Sequence, residues 1–236
     1  MCAAVLQKIP TNCKALDEIL DGGFSLGEVG LIYGEAETAK TTLVMQCAVN
    51  CAGLGYKTLF VDCDGTFSSR RLSQIASGNF EKTAELIILA KPKDFKEQTL
   101  IIDQLANYLK KGFGLVVFDT LTSLYRVEIA EKPEKRFELN RELNRQAAWL
   151  AQTARTQKIA VLVTSQVRSV FDETFTNIEP VATRVLKFWA DIIIAMKPTE
   201  NPRVIKAYVE KKTERVQPLF CYLKIDETGL HEYLTR

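Results

Sequence analysis

Gly34 is followed six positions later by Lys40 and then by Thr41, within the run Gly34-Glu35-Ala36-Glu37-Thr38-Ala39-Lys40-Thr41-Thr42. These residue types at this spacing suit an anionic triphosphate. Backbone N–H groups of such a loop wrap the phosphates, the ammonium reaches the β and γ oxygens, and the hydroxyl binds Mg²⁺. A helix beginning at the lysine adds its dipole. The expected ligands are therefore ATP and Mg²⁺. Ala39 departs from the pattern, which asks for glycine before the lysine. If φ there is positive, the methyl costs on the order of 1 kcal/mol. Nucleotide binding is expected to survive this and fast turnover is not. A chance glycine and Lys-Thr pair at a strand-to-helix turn is the alternative for the same residues.

The surrounding pattern predicts the elements that hold this loop. An apolar strand from Glu28 to Tyr33 precedes it, and Leu43, Val44, Cys47, Ala48 and Cys51 recur behind it at helical spacing. Strands are expected at Thr58–Val61 and Leu86–Leu89, with a helix at Ser69–Ala76 between them. A helix over about Asp94 to Lys110 leads into Leu115–Phe118, an apolar run suited to burial on both faces of a parallel sheet and ending at Asp119. Leu139, Leu143, Ala147, Leu150 and Ala154 mark an amphipathic helix over Arg136–Gln157, followed by a strand at Ile159–Val163. Val167 to Val181 lacks a period and reads as a mobile loop. Asp191–Met196, Val204–Val209 and Leu219–Ile225 read as strands, with Gly229 closing the last. Repeated βα units followed by consecutive strands predict an α/β fold: a mainly parallel central sheet flanked by helices, with antiparallel strands at the C-terminal end.

Composition narrows the function classes. The 236 residues contain 31 basic and 29 acidic side chains, so no bulk field of the kind a non-specific nucleic-acid coat protein needs is present. The length and the absence of a linker predict one domain over residues 1–236. Six scattered cysteines and a single histidine argue against a zinc site and for reduced, mostly buried thiols. Without a signal pattern or a run of roughly 20 apolar residues, a cytoplasmic protein without membrane contact is expected.

With these residues placed, the chain resembles the RecA superfamily of recombinases, in its archaeal RadB-like branch. The likeness rests on Leu16-Asp17-Glu18-Ile19-Leu20-Asp21-Gly22-Gly23, the loop above, Val61-Asp62-Cys63-Asp64-Gly65-Thr66-Phe67, the strand ending at Asp119, and Thr164-Ser165-Gln166-Val167. It implies a RecA-type P-loop ATPase core without a separate N-terminal helical domain. It also implies site roles. Lys40, Asp64 and Gln166 become the catalytic set: Asp64 stands where relatives have a water-polarising glutamate, one methylene longer, and Gln166 matches the residue that senses the γ-phosphate. Thr41 and Asp119 are the Mg²⁺ residues. Arg71 is similar to an arginine that stacks on adenine, and Lys211, Lys212 and Arg215 stand where relatives offer basic residues to a neighbouring subunit's ATP. Read by themselves, Asp119 also suits a turn-opening aspartate, Asp64 a loop cap, Gln166 a buried amide, Arg71 a solvated helix residue, and 210–215 a charged hairpin turn.

Two segments mix basic and aromatic residues in the manner of single-strand binding, Tyr125–Phe137 with Arg126, and Val167–Arg184 with Arg168, Phe171, Phe175 and Arg184. Acidic neighbours leave a solvated loop as the alternative for each. The expectation is an accessory protein of DNA repair and homologous recombination that binds ATP and single-stranded or branched DNA, hydrolyses ATP weakly as a Mg²⁺-dependent ATPase, and modulates the RadA recombinase, alone or as a homo-oligomer. A KaiC-like ATP-gated regulator of a protein partner is the alternative.

Overall fold

The continuous apolar runs form the centre of a nine-stranded sheet in the computed structural model, which describes residues 7–109, 111–167, 181–212 and 219–233. The first half contains β1 (Lys8–Ile9), α1 (Lys14–Ile19), β2 (Phe24–Ser25), β3 (Val29–Gly34), α2 (Lys40–Gly53), β4 (Lys57–Asp62), α3 (Ser69–Ala76), α4 (Phe80–Glu85), β5 (Ile87–Ala90) and α5 (Phe95–Asp103). The second contains α6 (Leu105–Tyr108), β6 (Phe113–Asp119), α7 (Ser123–Glu131), a 3-10 turn (Pro133–Lys135), α8 (Arg136–Gln157), β7 (Ala160–Gln166), α9 (Val181–Trp189), β8 (Ile192–Pro198), β9 (Val204–Lys211), β10 (Leu219–Asp226) and β11 (Gly229–Glu232). The strand order is β11-β10-β9-β8-β3-β7-β6-β4-β5. Pairing is parallel from β8 through β5 and antiparallel from β8 outward to β11, as the late consecutive strands required.

Each face of the sheet has its own core. On one, Leu43, Val44, Cys47 and Cys51 of α2 pack on Ile32, Phe60, Val117 and Leu162, and the cluster continues to Ala207, Leu223 and Leu230. On the other, Leu143, Ala147, Leu150 and Ala154 of α8 pack on Leu31, Val61, Val116, Phe118 and Val161. Four of the five α8 residues that the helical period singled out are thus buried, the fifth, Leu139, packs against the cluster only partly buried, and each fully buried leucine contributes about 1.5–3 kcal/mol. Cys47 and Cys51 belong to the first core as free thiols, and burial pushes the Cys47 thiol well above its ordinary range.

The structure corrects several expectations. The helix read over 94–110 breaks at Gln104 into α5 and α6, with Lys110 outside the described residues. Gly229, read as the end of the last strand, instead opens β11, because its φ of 128° turns the chain back onto β10. Most of the segment read as a mobile loop, 168–180, lies outside the described residues, and α9 was not foreseen. Its Thr183 and Leu186, and Ala190 just past its end, are buried at helical spacing, but the aperiodic residues ahead of it masked the pattern. No helix among the described residues is long and apolar enough to cross a membrane.

Gln46 of α2 ties three parts of the chain together. Its amide donates to the carbonyls of Thr11 (2.7 Å) and Leu230 (3.0 Å), and its oxygen accepts the Leu230 N–H (2.8 Å). All of this is buried, so Gln46→Leu leaves the Leu230 N–H and the Thr11 carbonyl without these partners, and the Leu230 carbonyl with only the Cys13 thiol at 3.2 Å. Urea unfolding of that variant is expected to show a loss of about 3 kcal/mol, far above the effect of a conservative surface change.

Candidate functional site

β3 lies between β7 and β8, both parallel to it, and its last residue, Gly34, sits beside Gln166 and Met196. A Cβ on Gly34 would run into the Met196 carbonyl and approach the Thr38 hydroxyl to 2.8 Å, so glycine alone fits. The chain then turns tightly into α2. Glu37 (φ 62°) and Ala39 (φ 61°, ψ 22°) are both left-handed. The condition attached to Ala39 is therefore met, and its methyl carries the left-handed penalty of about 1–2 kcal/mol. The Thr38 hydroxyl donates to the Glu35 carbonyl at 2.9 Å. Lys40, only 7% exposed, folds its ammonium back onto the Glu35 carbonyl and the Thr38 hydroxyl. Burial lowers its pKa, while Asp119, Asp64 and Glu35 favour its charge. The turn thus joins an ammonium to the N-terminus of a 14-residue helix that has no side-chain cap, an arrangement able to bind phosphate oxygens.

Two carboxylates stand across from this turn at the carboxyl edge of the sheet. Asp119 ends β6 and is fully buried, and its Oδ1 accepts from the Thr164 hydroxyl at 2.5 Å. Its Oδ2 has no hydrogen-bond partner among the described residues. Burial raises the Asp119 pKa, the hydroxyls of Thr164 and Thr41 hold it down, and the charges of Asp64 and Asp62 raise it further. An unpartnered buried carboxylate oxygen with the Thr41 hydroxyl nearby is an oxygen donor set that fits Mg²⁺. Asp64 lies on the exposed loop after β4, and its Oδ2 accepts from the Thr120 hydroxyl at 3.1 Å. The loop cap that could have been its role belongs to buried Asp62, which accepts from the N–H groups of Thr66 (2.9 Å) and Phe67 (3.1 Å) and pairs with Lys91 at 3.4 Å.

Other residues expected at the site are placed differently. Gln166 ends β7 beside Gly34 with an exposed side chain, so it is no buried amide, and its carbonyl lies 3.5 Å from the Arg126 guanidinium of α7. Arg71 donates to the Glu227 carbonyl at 2.7 Å, so its guanidinium is engaged with the turn between β10 and β11. Lys211 donates to the Ala190 carbonyl at 2.5 Å, and Lys212 pairs with Asp21 and donates to the Ile19 carbonyl at 3.2 Å. Both lysines are therefore held by their own chain. Arg184 is exposed on α9, and Arg168, Phe171, Phe175 and Arg215 lie outside the described residues. Two threonines not foreseen complete the cluster, Thr120 and Thr164. A polar residue directly after an apolar run, as Thr164 is after Ile159–Val163, was the available signal.

Comparison with known proteins bears on the family and the fold. A family model described as Rad51 matches residues 3–232. Among similar proteins, the DNA repair and recombination protein RadB of Thermococcus kodakarensis is 35% identical over 227 residues, 95% of this chain and 99% of the relative. RadB of Thermococcus onnurineus is 34% identical, covering 97% of this chain and 99% of its own length. RadB of Methanococcoides burtonii is 31% identical over 96% of this chain and 98% of its own length. A solved structure described as the crystal structure of the RadB recombinase has a TM-score of 0.82 and 34% identity, covering 96% of this chain and all of that one.

The raised pKa of Asp119 sets a pH signature. A carboxyl whose folded pKa is raised favours folding while protonated and loses that contribution as pH climbs through the folded value. In chelator-treated protein, Asp119→Asn is expected to gain stability relative to the parent over the pH range above the ordinary carboxyl value of about 4. Urea midpoints of both proteins across that range measure it, and a margin independent of pH contradicts it.

Proposed function

Because this chain belongs to the Rad51 family, we propose that it is a DNA repair and recombination protein that binds ATP with Mg²⁺ at the Gly34–Thr42 turn and turns it over slowly. The observation that carries this reading is the unpartnered Oδ2 of buried Asp119, facing a turn that supplies Lys40 and Thr41. In this reading Glu35, Ala36, Glu37, Thr38, Ala39 and Thr42 present their backbone to the phosphates, Lys40 neutralises them, and Thr41 with Asp119 holds the metal. Mg²⁺, when bound, spreads the negative charge of the triphosphate. Asp64 orients the attacking water and Gln166 reports the γ-phosphate.

Slow turnover follows from two local facts. Ala39 holds a left-handed backbone. Asp64 is a methylene shorter than glutamate, and Thr120 holds it close to the sheet edge. A displacement of about 1 Å at a reacting group costs roughly a hundredfold in rate. Arg71 reaches adenine by exchanging the Glu227 carbonyl for the base, and Lys212 reaches a neighbouring subunit's nucleotide, beside Lys211 and Arg215, by releasing Asp21. DNA contacts Arg126 and Arg184, together with Arg168, Phe171 and Phe175 of the segment outside the described residues. The protein acts beside the RadA recombinase as an accessory factor.

Titration with a fluorescent ATP analogue and Mg²⁺ tests the reading. Saturable binding is expected, weakened at least tenfold in Lys40→Ala, which removes a charge-assisted contact of about 1.5–3 kcal/mol; an unmodified chain that binds no analogue refutes it. Asp64→Glu combined with Ala39→Gly is expected to raise phosphate release by roughly ten- to a hundredfold. A rate that stays level in the double variant shows that neither residue limits turnover.

A further inference from the structure

The apolar cluster under α8 and α9 reaches the sheet as far as Ile193 of β8 and contains no residue of β9, β10 or β11. The opposite face of those three strands is covered, with Ala207, Val209, Cys221, Leu223 and Leu230 packed in the α2 cluster. Strand alternation therefore turns Lys206, Tyr208, Phe220, Tyr222 and Lys224 onto the other face, which has no apolar helix packing among the described residues. Register aligns them across strands: Tyr222 opposes Lys206, which opposes Lys197, and Phe220 opposes Tyr208.

The rings and cations on this face are ordered against one another. Tyr208 and Phe220 are stacked at 6.3 Å with an interplanar angle of 12°, and Tyr222 meets Phe220 edge-on at 5.8 Å. The Lys206 ammonium lies 3.8 Å from the Phe220 centroid and 5.8 Å from those of Tyr208 and Tyr222. Lys197 lies 5.8 Å from the Tyr208 centroid. Phe220 is nonetheless 49% exposed. The carboxylates at the two ends of the face are engaged: Glu210 with Lys187 and the Tyr33 hydroxyl, and Asp226 with His231 and Thr228. The centre of the face is cationic.

We propose that the outer face of β9 and β10 is a binding platform for single-stranded DNA. Aromatic faces stack bases without regard to sequence, and ammonium groups set among them meet the phosphates between those bases. Lysine is depleted in the centres of protein–protein interfaces, yet Lys206 stands at the centre of this one, so charge and composition favour a nucleic acid over a protein. The choice of DNA over RNA rests on the recombination reading above. The platform chemistry does not, since it shares no residue with the Gly34–Thr42 turn or with the path through Arg126 and 168–184.

The test is fluorescence anisotropy of labelled oligothymidylate with the full chain, without nucleotide and at low salt. Phe220→Ala and Tyr208→Ala are each expected to weaken binding roughly five- to a hundredfold, and Phe220→Trp to preserve it with quenching of the introduced indole. Lys206→Gln is expected to reduce the slope of log affinity against log salt by about 0.7, a change that mere loss of packing does not produce. Absence of binding by the parent chain overturns the platform, as does parental affinity in both alanine variants. Loss on Arg126→Ala alone assigns the DNA to the loop path and likewise overturns it. An effect confined to oligouridylate, or to capture of a protein partner, overturns the choice of occupant. The separate ATP titration reads the nucleotide site and is blind to all of these outcomes.

Discussion

Ionised groups taken out of water need partners, and at the carboxyl edge of this sheet the chain supplies only some of them. Asp119 has one oxygen bonded to Thr164 and the other without a donor among the described residues, while Lys40 is folded onto the carbonyl and hydroxyl of its own turn. Each is held there by elements that cannot easily move: Asp119 by a strand between two others, Lys40 by the first turn of a helix whose apolar face is sealed in the core. The sheet thus stores an unfavourable electrostatic arrangement that added charge of the right sign would relieve. A triphosphate with a divalent cation carries both signs in one ligand.

The position of β3 makes this arrangement possible. With β7 on one side and β8 on the other, the strand that leads into the turn emerges beside the ends of both, and Gly34 passes so near Met196 that no side chain is tolerated. Helices on both faces follow from parallel pairing, because crossover connections must return over the sheet. Beyond β8 the pairing becomes antiparallel, and among the described residues no apolar helix cluster covers one face of β9, β10 and β11. The same change of topology that closes the fold creates the aromatic and cationic surface of β9 and β10.

The lysines near the end of β9 show how context changes the meaning of a residue. As a string, Glu210-Lys211-Lys212 suits either a turn or a donor to a neighbouring molecule. In the fold, Glu210 meets Tyr33 and Lys187, Lys211 meets Ala190, and Lys212 meets Asp21. These contacts join β9 to β3, α9 and the segment after α1.

Much of this was legible in one dimension. The Gly34–Thr42 spacing, the helical period of α2 and α8, the buried runs of β6 and β7, and the late strands are local signals, each set by the geometry of a few neighbouring residues. So was the possibility of strain at Ala39, although that its backbone is left-handed is known only from the structure. The sequence alone could not tell Asp62 from Asp64, because which carboxylate caps the loop and which meets Thr120 depends on the pairing of β4 with β6. Nor could it show that Arg71 faces the β10–β11 turn, or that Lys197, Lys206, Tyr208 and Phe220 share one surface. Those facts depend on strand register between residues distant along the chain, and register is decided by which faces the whole sheet must bury.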